Sequence, residues 1–551
     1  MKTTTLLSSV SRLGFLLACG LAASGAHGQA GPTWTSVWRS SSATASGYAA
    51  GRSIALAADG SRYVSGQFEG PLTLGSVTLT PGSGSSHYFL ACFDAQGAVR
   101  WARQVDGSGS SIGSVAVDAA GNAYLAGDFY GSVDVDGATL SSAAGDSYLV
   151  KFNAQGQQQW LRQAGTGTYA GSLAVDASGN VCLAGFSGNA AVYGSPLPGG
   201  PGIFFGKISP SGTVLLATRV STGSSSYSIG GNMTLDAAGN AYLIGSFNGR
   251  PSFGATTLVP AGDSDIFLCK LDAAGTPLWA RRLGGSNTDN PGGVAVDAAG
   301  NVVVCGSSAY GLPGSGDPPG ATLYLSRFSP QGTALWERQV GPIFSSSNTN
   351  LINSYVAGVA YDGRGGILVT GRLNGTASFG PSTTLNSYTA AAFVVRYDGQ
   401  GQAVWADHSV ATGSHGAAGG TPAVASDGRI FLVGTAMGSV TFGSVATTPP
   451  ATGRADVFVA ELAPGSVLAT TSAAPRLALS AYPNPATEAV TLTLPTAAHL
   501  RILDALGREV RGQQLPAGPS TVPLTGLAPG LYQLAAQLTN GQTARAQVVV
   551  R

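Results

Sequence analysis

Side chains that could perform catalysis are scarce in this chain. Its 551 residues include five histidines and five cysteines, and they contain no H-E-x-x-H, C-x-x-C or G-x-x-x-x-G-K-[ST] pattern. The inventory predicts no catalytic residue, no metal site and no cofactor. An active site assembled from distant loops would show no such short motif in the sequence, so an enzyme remains an alternative. The histidines are His27, His87, His408, His415 and His499.

Aspartates recur at regular intervals, each at the entrance of a turn resembling D-x-x-G-N. A carboxylate there would suit calcium binding or acid catalysis. However, an Asp that opens a turn accepts hydrogen bonds from backbone N–H groups two or more residues further on, and the glycine after it takes the left-handed conformation. We therefore predict a structural role for all five: Asp118, Asp176, Asp236, Asp297 and Asp362.

The candidate binding residues lie in the segments that vary most between otherwise similar stretches of the chain. Tyrosine and asparagine can stack on and hydrogen-bond a sugar or a peptide. The alternative is a set of solvated loops that differ because nothing constrains them. The candidates are Tyr48, Tyr169, Tyr227, Asn287, Asp289, Asn348, Asn350 and His415.

These residues belong to a repeat of about sixty residues, marked by one turn glycine per copy. Each copy contains four short runs that are apolar or alternate between apolar and polar residues, as β-strands do. Seven copies of four strands predict an all-β fold, a seven-bladed β-propeller over residues 33–463. The turn glycines are Gly60, Gly121, Gly179, Gly239, Gly300, Gly365 and Gly428.

One strand of the repeat carries a tryptophan at a constant place, with Leu216 in one copy. A residue that occurs once per blade at one register is typical of packing between neighbouring blades. Several of these tryptophans are followed two positions later by an arginine on the same side of the strand, which favours a cation–π contact or an ion pair. The tryptophans are Trp38, Trp101, Trp160, Trp279, Trp336 and Trp405.

The first tryptophan strand precedes the first complete repeat, and the seventh repeat ends near Leu462. The simplest interpretation is that the strand around Trp38 completes the last blade, which closes the ring and removes an exposed sheet edge. If the tryptophan strand instead begins each blade, no such closure exists. Antiparallel connectivity places the tight turns on one face and the longer, irregular connections on the other, where we expect a functional site.

Composition and the first residues predict export. The net charge is +1 and only 10% of the residues are charged, with no basic run, which argues against nucleic acid as a partner. Residues 1–30 combine Lys2 and Arg12 with an apolar run and small residues, as in a cleaved signal peptide. Cys19 lies in a sequence resembling a lipoprotein box, so lipidation there is an alternative. No later apolar run is long enough for a membrane helix.

The remaining four cysteines each lie inside an apolar strand pattern, in different repeats. We expect them to be small buried hydrophobic residues rather than a disulfide framework. They are Cys92, Cys182, Cys269 and Cys305.

A different pattern begins after the repeats. Residues 464–475 form a linker of small residues that ends in proline. In residues 476–551, strand-like runs at 490–494, 500–503, 531–535 and 546–550 are separated by turns marked by Pro and Gly, as in a small Ig-like β-sandwich.

Three motifs in this last part carry a resemblance: Y-P-N-P, L-R-I-L-D-A-L-G-R and L-A-P-G-L-Y. They resemble the type A sorting domain of type IX secretion cargo from Bacteroidota. The resemblance implies passage across the outer membrane and a surface sortase that removes the domain and joins the cargo to lipopolysaccharide. The final segment has one basic residue where many members have more. The motif residues are Tyr482, Pro483, Asn484, Pro485, Asp504, Gly507, Gly530, Leu531, Tyr532 and Arg551.

The repeats also resemble the seven-bladed β-propeller repeat family, most clearly from Asp265 to Trp279, and that family has no shared activity. Our leading hypothesis is a monomeric protein, secreted or anchored on the outer-membrane surface, that binds an extracellular glycan or protein without catalysis. Its other partners would be the type IX machinery and the sortase. The alternatives are an extracellular propeller enzyme, either a polysaccharide lyase or a hydrolase, and a passive spacer.

Overall fold

The computed structural model describes residues 33–42, 47–108, 111, 113–188, 191–222, 227–228, 233–308, 321–343, 354–380, 383–411, 416–447, 455–463, 477–479, 481–504, 509–538 and 543–551. Within these ranges the regular structure is β-strand throughout. The chain divides into two compact units, Met1–Gly465 and Ser466–Arg551.

The strands of the first unit are β1 (Trp34–Arg39), β2 (Ser41–Ser42), β3 (Tyr48–Leu56), β4 (Arg62–Glu69), β5 (Leu72–Leu74), β6 (Val77–Leu79), β7 (Ser86–Phe93), β8 (Val99–Ser108), β9 (Val115–Val117), β10 (Ala123–Val135), β11 (Ala138–Phe152), β12 (Gln158–Gln163), β13 (Thr168–Val175), β14 (Val181–Ser187), β15 (Ala191–Val192), β16 (Ser195–Pro196), β17 (Gly202–Ile208), β18 (Val214–Arg219), β19 (Tyr227–Ser228), β20 (Met233–Leu235), β21 (Ala241–Phe247), β22 (Ser252–Phe253), β23 (Thr256–Thr257), β24 (Asp265–Leu271), β25 (Pro277–Leu283), β26 (Asp289–Val296), β27 (Val302–Ser308), β28 (Ala321–Phe328), β29 (Ala334–Ile343), β30 (Tyr355–Tyr361), β31 (Ile367–Gly380), β32 (Thr383–Tyr397), β33 (Ala403–Ala411), β34 (Ala417–Val424), β35 (Ile430–Met437), β36 (Val440–Phe442), β37 (Val445–Thr447) and β38 (Ala455–Leu462).

Four-stranded antiparallel units recur along this part of the chain, and we number them repeats 1 to 7 in chain order. In repeats 1 to 6 the first, second, third and fourth strands follow one another along the chain as a meander, whereas repeat 7 takes its fourth strand from the N-terminus. The units are β3-β4-β7-β8, β9-β10-β11-β12, β13-β14-β17-β18, β20-β21-β24-β25, β26-β27-β28-β29, β30-β31-β32-β33 and β34-β35-β38-β1. Such units are the sheets from which propeller blades are built.

Burial differs between the strands of a repeat. Second strands such as β14 and β21 are buried on both faces along most of their length, whereas the fourth strands β12 and β18 are half-buried or exposed. The near-continuous apolar sequences of the second strands match this environment, because a sheet packed on both sides gives neither face to water.

The first strands of successive repeats contact one another in sequence order, and β34 of repeat 7 contacts β3 of repeat 1. Serine side chains reinforce several of these contacts. The Ser114 hydroxyl accepts a hydrogen bond from the backbone N–H of Leu173 at 3.0 Å, and Ser172 accepts one from Met233 at 2.7 Å. Each bond satisfies a backbone group on a first strand and ties it to the preceding repeat.

The N-terminal strand completes repeat 7. β1 pairs with β38 in antiparallel register, with Trp38 opposite Val459. Arg39 on this strand forms an ion pair with Asp456 at 2.9 Å, and both side chains are 6% exposed. The tryptophan strand is therefore the fourth strand of the sheet, which confirms the closure interpretation.

The tryptophan strands also join neighbouring repeats, as predicted. The Trp101 indole N–H of repeat 1 donates to the carbonyl of Ala154 in repeat 2 at 3.0 Å, and the Arg103 guanidinium donates to the carbonyl of Gly156 at 2.6 Å. The guanidinium carbon of Arg103 lies 5.9 Å from the centre of the Trp101 ring. The same hydrogen bonds recur in repeat 4 with Trp279 and Arg281, and in repeat 5 with Trp336 and Arg338.

The recurrent aspartates are structural, as expected. Asp118 accepts hydrogen bonds from the backbone N–H groups of Ala120 at 3.0 Å and Asn122 at 2.9 Å, and from the Asn122 side chain at 2.7 Å. In later repeats the equivalent carboxylate also pairs with the basic residue of the third strand. These pairs are Asp176–Lys207 at 3.2 Å, Asp236–Lys270 at 3.7 Å, Asp297–Arg327 at 2.8 Å and Asp362–Arg396 at 2.7 Å.

The connections between second and third strands are more regular than the sequence suggested. In repeats 2 and 6 both strands continue beyond the sheet as one long hairpin, and repeats 1, 3, 4 and 7 carry a separate short hairpin. In repeat 2 the hairpin turns at Asp136 and Gly137, whose φ angles are 52° and 89°. This Asp-Gly pair suits a two-residue hairpin loop, which explains the ordered structure.

The four cysteines in the described part of this unit are free and buried. Burial raises the pKa of the Cys182 thiol to about 12. These thiols therefore stay protonated at neutral pH, as expected of small core residues.

The second unit contains β39 (Leu477–Ala478), β40 (Ala481–Tyr482), β41 (Ala489–Leu494), β42 (Ala498–Leu503), β43 (Glu509–Leu515), β44 (Gly518–Pro523), β45 (Gly530–Leu538) and β46 (Thr543–Val550). They form two sheets, β39-β46-β45-β42-β43 and β40-β41-β44. Alternate residues of β41, β42 and β45 enter one buried apolar core. The sequence patterns identified β41, β42, β45 and β46 but missed the more polar β43 and β44.

Candidate functional site

The predicted binding residues do not form one cluster. Tyr48 begins β3, and Tyr169 on β13 shares a hydrogen bond of 2.8 Å between its hydroxyl and that of Tyr130. Asn287 is half-buried in a loop. Tyr227 belongs to a short strand that pairs with β21. Asn348, Asn350 and His415 lie outside the described residues.

Asp289 is buried rather than open to solvent, with 1% of its surface exposed. Its carboxylate accepts a hydrogen bond from the backbone N–H of Gly285 at 2.8 Å. Burial raises its pKa, and the neighbouring carboxylate of Asp265 adds to this effect. Asp289 therefore holds a loop in place.

A cleft of about 750 Å³ lies where repeats 6, 7 and 1 meet, on the face that carries the fourth-to-first connections. This volume falls in the range of small-molecule sites. Tyr48 lines it, and among the predicted binding residues with described side chains it does so alone. The other polar residues with long side chains in its wall are Arg52, Tyr355, Arg372, Asn374 and Tyr388.

The first strand of repeat 7 creates the space for this cleft. Its wall there consists of Gly416, Ala417, Ala418, Gly419, Gly420 and Thr421. A Cβ atom on Gly416 would meet the carbonyl oxygen of Ala390, so only glycine allows this approach of the two strands. Because the strand carries almost no side-chain volume, the larger side chains of repeats 6 and 1 face each other across it.

Arg52 reaches the cleft from an irregularity in the first strand of repeat 1. The pairing of β3 with β4 shifts between Gly51 and Ser53, which leaves Arg52 unpaired. Such bulges redirect a side chain out of the regular alternation. The same irregularity in the first strands of repeats 3, 5, 6 and 7 carries small residues, namely Gly171, Gly292, Ala357 and the Gly420–Thr421 pair.

Arg372 enters from the second strand of repeat 6, directly opposite Tyr355 in the strand register. Its Nε atom is buried and has no hydrogen-bond partner. Arg52, by contrast, donates a hydrogen bond to the side-chain oxygen of Gln67 at 2.6 Å and remains exposed. The cleft thus contains one tethered and one unpaired guanidinium.

The three tyrosines give the cleft aromatic surface. Tyr48 is half-buried, whereas Tyr355 is 37% and Tyr388 75% exposed. Burial raises the pKa of Tyr355, and the positive charges of Arg372 and Arg52 oppose that change. Tyr355 therefore stays protonated at neutral pH and can donate or accept a hydrogen bond.

The acids with perturbed pKa values lie elsewhere. Burial raises the pKa of Asp128 to about 6, partly offset by hydrogen bonds from Ser147 and the Ala170 backbone. The Ser147 bond is 2.8 Å long and lies within repeat 2, whereas the Ala170 bond, at 2.7 Å, ties repeat 2 to repeat 3. No Asp, Glu or His occurs among the described residues that line the cleft.

Sequence reasoning missed Arg52, Tyr355, Arg372 and Tyr388. One signal was available for Arg52, since a long basic residue stands where most other repeats have glycine or alanine. Arg372 lies on a regularly paired part of β31, and Tyr388 lies where the pairing of β31 with β32 shifts, but the sequence alternation marks neither as part of a cleft.

In the C-terminal unit the sorting motif packs against the last strand. The Asn484 side chain donates to the carbonyl of Gln547 at 2.8 Å and accepts from the N–H of Val549 at 2.9 Å. The N–H of Arg551 donates to the carbonyl of Ala486 at 2.9 Å. Of the other motif positions, Tyr482 and Leu531 are 78% and 49% exposed, and Gly507 lies outside the described residues. The Y-P-N-P segment and the last strand, which ends next to Arg551, thus meet in one region.

Two family models match this chain. Residues 480–551 match the secretion system C-terminal sorting domain, and residues 278–309 match a β-propeller repeat. The chain thus carries β-propeller repeats and a C-terminal type IX sorting domain. A domain of this type implies interaction with the type IX machinery and passage across the outer membrane, to the cell surface or the medium. In the described residues, no helix has the length and apolar character to cross a membrane.

Among curated proteins, the chain is similar to an uncharacterized WD repeat-containing protein of Acanthamoeba polyphaga mimivirus. The two are 24% identical over 179 residues, which is 26% of this chain and 12% of that protein. The match therefore spans about an eighth of the curated relative's length.

Several solved structures are also similar. PorZ, a surface component of the type IX secretion system of Porphyromonas gingivalis, shares 9% identity over 91% of this chain and 81% of its own, with a TM-score of 0.27. A protein of unknown function from Dyadobacter fermentans shares 10% identity over 78% of this chain and 99% of its own, with a TM-score of 0.36. An ulvan lyase, which is a polysaccharide lyase, shares 10% identity over 68% of this chain and 87% of its own, with a TM-score of 0.41.

Proposed function

We propose that this chain is a non-enzymatic binding protein that acts outside the cell as cargo of the type IX secretion system. In this proposal residues 1–30 are a signal peptide, 33–463 a closed seven-bladed β-propeller, 464–475 a linker and 476–551 an Ig-like sorting domain. The contacts between successive first strands and the pairing of β1 with β38 support the ring.

The cleft between repeats 6, 7 and 1 carries the binding proposal. It combines a volume of about 750 Å³ with exposed aromatic rings and hydrogen-bonding groups. Exposed tyrosines offer large, rigid contact surfaces whose polar tips add hydrogen bonds. Its described lining offers two guanidiniums and three phenols but no carboxylate or imidazole, the usual general bases, which favours binding over acid–base catalysis.

The test is a glycan array and a pull-down against extracellular proteins, both with the full chain. We expect a specific ligand in one assay and its loss in the Tyr355→Ala/Tyr388→Ala variant. Tyr130→Ala is the matched control, because Tyr130 is 47% exposed and does not line the cleft. Blank results in both assays, or equal losses in the variant and the control, would overturn the proposal.

Export is tested separately in a host with an active type IX system. Deletion of residues 476–551 should leave the remaining chain inside the outer membrane, while the intact chain reaches the surface or the medium. Surface protease accessibility and immunoblots of the medium measure this. Equal surface exposure of both chains would contradict the assigned role of the sorting domain.

A further inference from the structure

We infer that the cleft between repeats 6, 7 and 1 binds an acidic polysaccharide through its carboxylate or sulfate groups. Arg52 and Arg372 are the anion-binding residues, and the tyrosines contact the sugar rings. This inference rests on the proposed binding function and adds the class of ligand.

Arg372 provides the first argument. Its Nε atom is buried without a hydrogen-bond partner, and within the described part of the chain the guanidinium forms no ion pair. Buried polar groups are normally hydrogen-bonded, since a missing bond costs about 1–3 kcal/mol. Arg327 and Arg396, on the third strands of repeats 5 and 6, are each paired with an aspartate. An anion in the cleft would give the Arg372 guanidinium the charge partner that it lacks among the described residues.

Arg52 provides the second argument. Its backbone position is the strand irregularity at which other repeats carry Gly, Ala or Thr, so the fold itself does not require a long basic side chain there. The side chain lines the same cleft as Arg372 from the opposite repeat. Both guanidiniums line the cleft beside Tyr355, and their positive charges oppose the rise that burial causes in the pKa of Tyr355.

Among the described residues, the positive charge of the wall is uncompensated. Two arginines line the cleft, and the described residues that line it include no aspartate or glutamate. Because guanidinium presents a planar set of donors, it matches carboxylate and sulfate oxygens well, and such charge-assisted bonds are stronger than neutral ones. An anionic ligand is therefore favoured over a neutral one.

The aromatic residues favour a saccharide over an acidic peptide. Tyr355 and Tyr388 offer exposed ring surface and a hydroxyl, which suit a sugar ring with its apolar face and many hydroxyl groups. The other described lining residues are Asn374, Met437 and small residues, and they offer no large aliphatic or aromatic pocket for peptide anchors.

The experiment measures binding of the full chain to matched pairs of polymers by isothermal titration calorimetry. The pairs are polygalacturonate with its methyl ester, for carboxylates, and dextran sulfate with dextran, for sulfates. We expect binding to at least one acidic polymer, weak or no binding to its neutral partner, and weaker binding as NaCl concentration rises. Arg52→Gln and Arg372→Gln should each weaken binding about tenfold or more.

Arg250→Gln is the matched control, because it removes the same charge from an exposed position outside the cleft. Its affinity should stay within about twofold of the wild type. Thermal unfolding of each variant checks that the fold is intact. Free inorganic sulfate, added at the same concentration of anionic groups as the polymer, should not displace the bound polymer.

The outcomes separate the two proposals. Equal binding of neutral and acidic polymers, unchanged affinity in both arginine variants, or full competition by free sulfate would overturn the acidic-polysaccharide inference and leave the binding function standing. Absence of binding to all four polymers would also overturn the inference, and the array and pull-down would then decide the binding function.

Discussion

We expect the pairing of the N-terminal strand β1 with β38 to depend strongly on Arg39. Its guanidinium pairs with Asp456 at 2.9 Å and donates to the carbonyls of Gly438 and Ala436. Substitution Arg39→Ala would leave the Asp456 carboxylate buried without its partner. Removing one member of a buried ion pair costs about 3–5 kcal/mol, so we expect a decrease of that size in the free energy of unfolding.

Burying this ion pair nevertheless has a large desolvation cost. Burial lowers the pKa of Arg39 and raises that of Asp456, and their attraction offsets only part of each change. Replacing both charges with apolar residues of similar volume is often close to neutral. We therefore expect Arg39→Met/Asp456→Leu to recover most of the stability that Arg39→Ala loses.

Urea unfolding followed by tryptophan fluorescence measures these differences, and hydrogen exchange of residues 34–39 and 455–462 shows whether β1 has separated from β38. Arg100→Ala is the control, because Arg100 and its partner Asp59 are 49% and 63% exposed and should contribute less than about 1 kcal/mol. A loss below about 1 kcal/mol in Arg39→Ala, with unchanged exchange in β1, would refute the reasoning.

Three further changes test the scaffold. Gly156→Ala should destabilise the chain by about 2–3 kcal/mol in urea unfolding, because φ is 77° and the new Cβ would lie 2.5 Å from the Trp101 ring. Gly137→Ala, at φ 89° with open space around it, should cost only about 1 kcal/mol, and equal losses would contradict the clash. Asp128 has a folded-state pKa of about 6, above its unfolded value, so the folded state favours its protonated form. The resulting gain in the free energy of unfolding is complete below about pH 4 and is lost as pH rises through 6. The loss is about 3 kcal/mol, and Asp128→Asn should remove that pH dependence; an unchanged profile would refute the assignment.

The repeat itself could be predicted from the sequence because each of its parts is locally encoded. A turn aspartate binds its own backbone within four residues, and an apolar second strand is buried in every repeat. The tryptophan donates to a turn carbonyl one repeat ahead, 50 to 63 residues further along the chain. The pairing of β1 with β38 spans more than 400 residues, yet it was predictable because one strand type was left over at each end of the repeats.

The cleft could not be predicted, for physical reasons. Its walls come from residues about 300 positions apart, and its volume arises from what repeat 7 lacks, namely side chains along Gly416–Thr421. Asp289 shows the opposite limitation, because a variable, polar segment suggested exposure while the fold buries its carboxylate beneath a loop. Loop variation therefore pointed to the face on which this cleft lies, and of its candidates with described side chains only Tyr48 lines the cleft.

The central claim is that an extracellular ligand occupies the cleft of repeats 6, 7 and 1. Hydrogen–deuterium exchange of the full chain, with and without the acidic polymer that binds best, tests it most directly. We predict slower exchange at residues 48–52, 355–357, 372–374 and 416–421, with unchanged exchange in the repeat 3 and 4 first strands. Protection confined to other repeats, or none at saturating polymer, would contradict the claim.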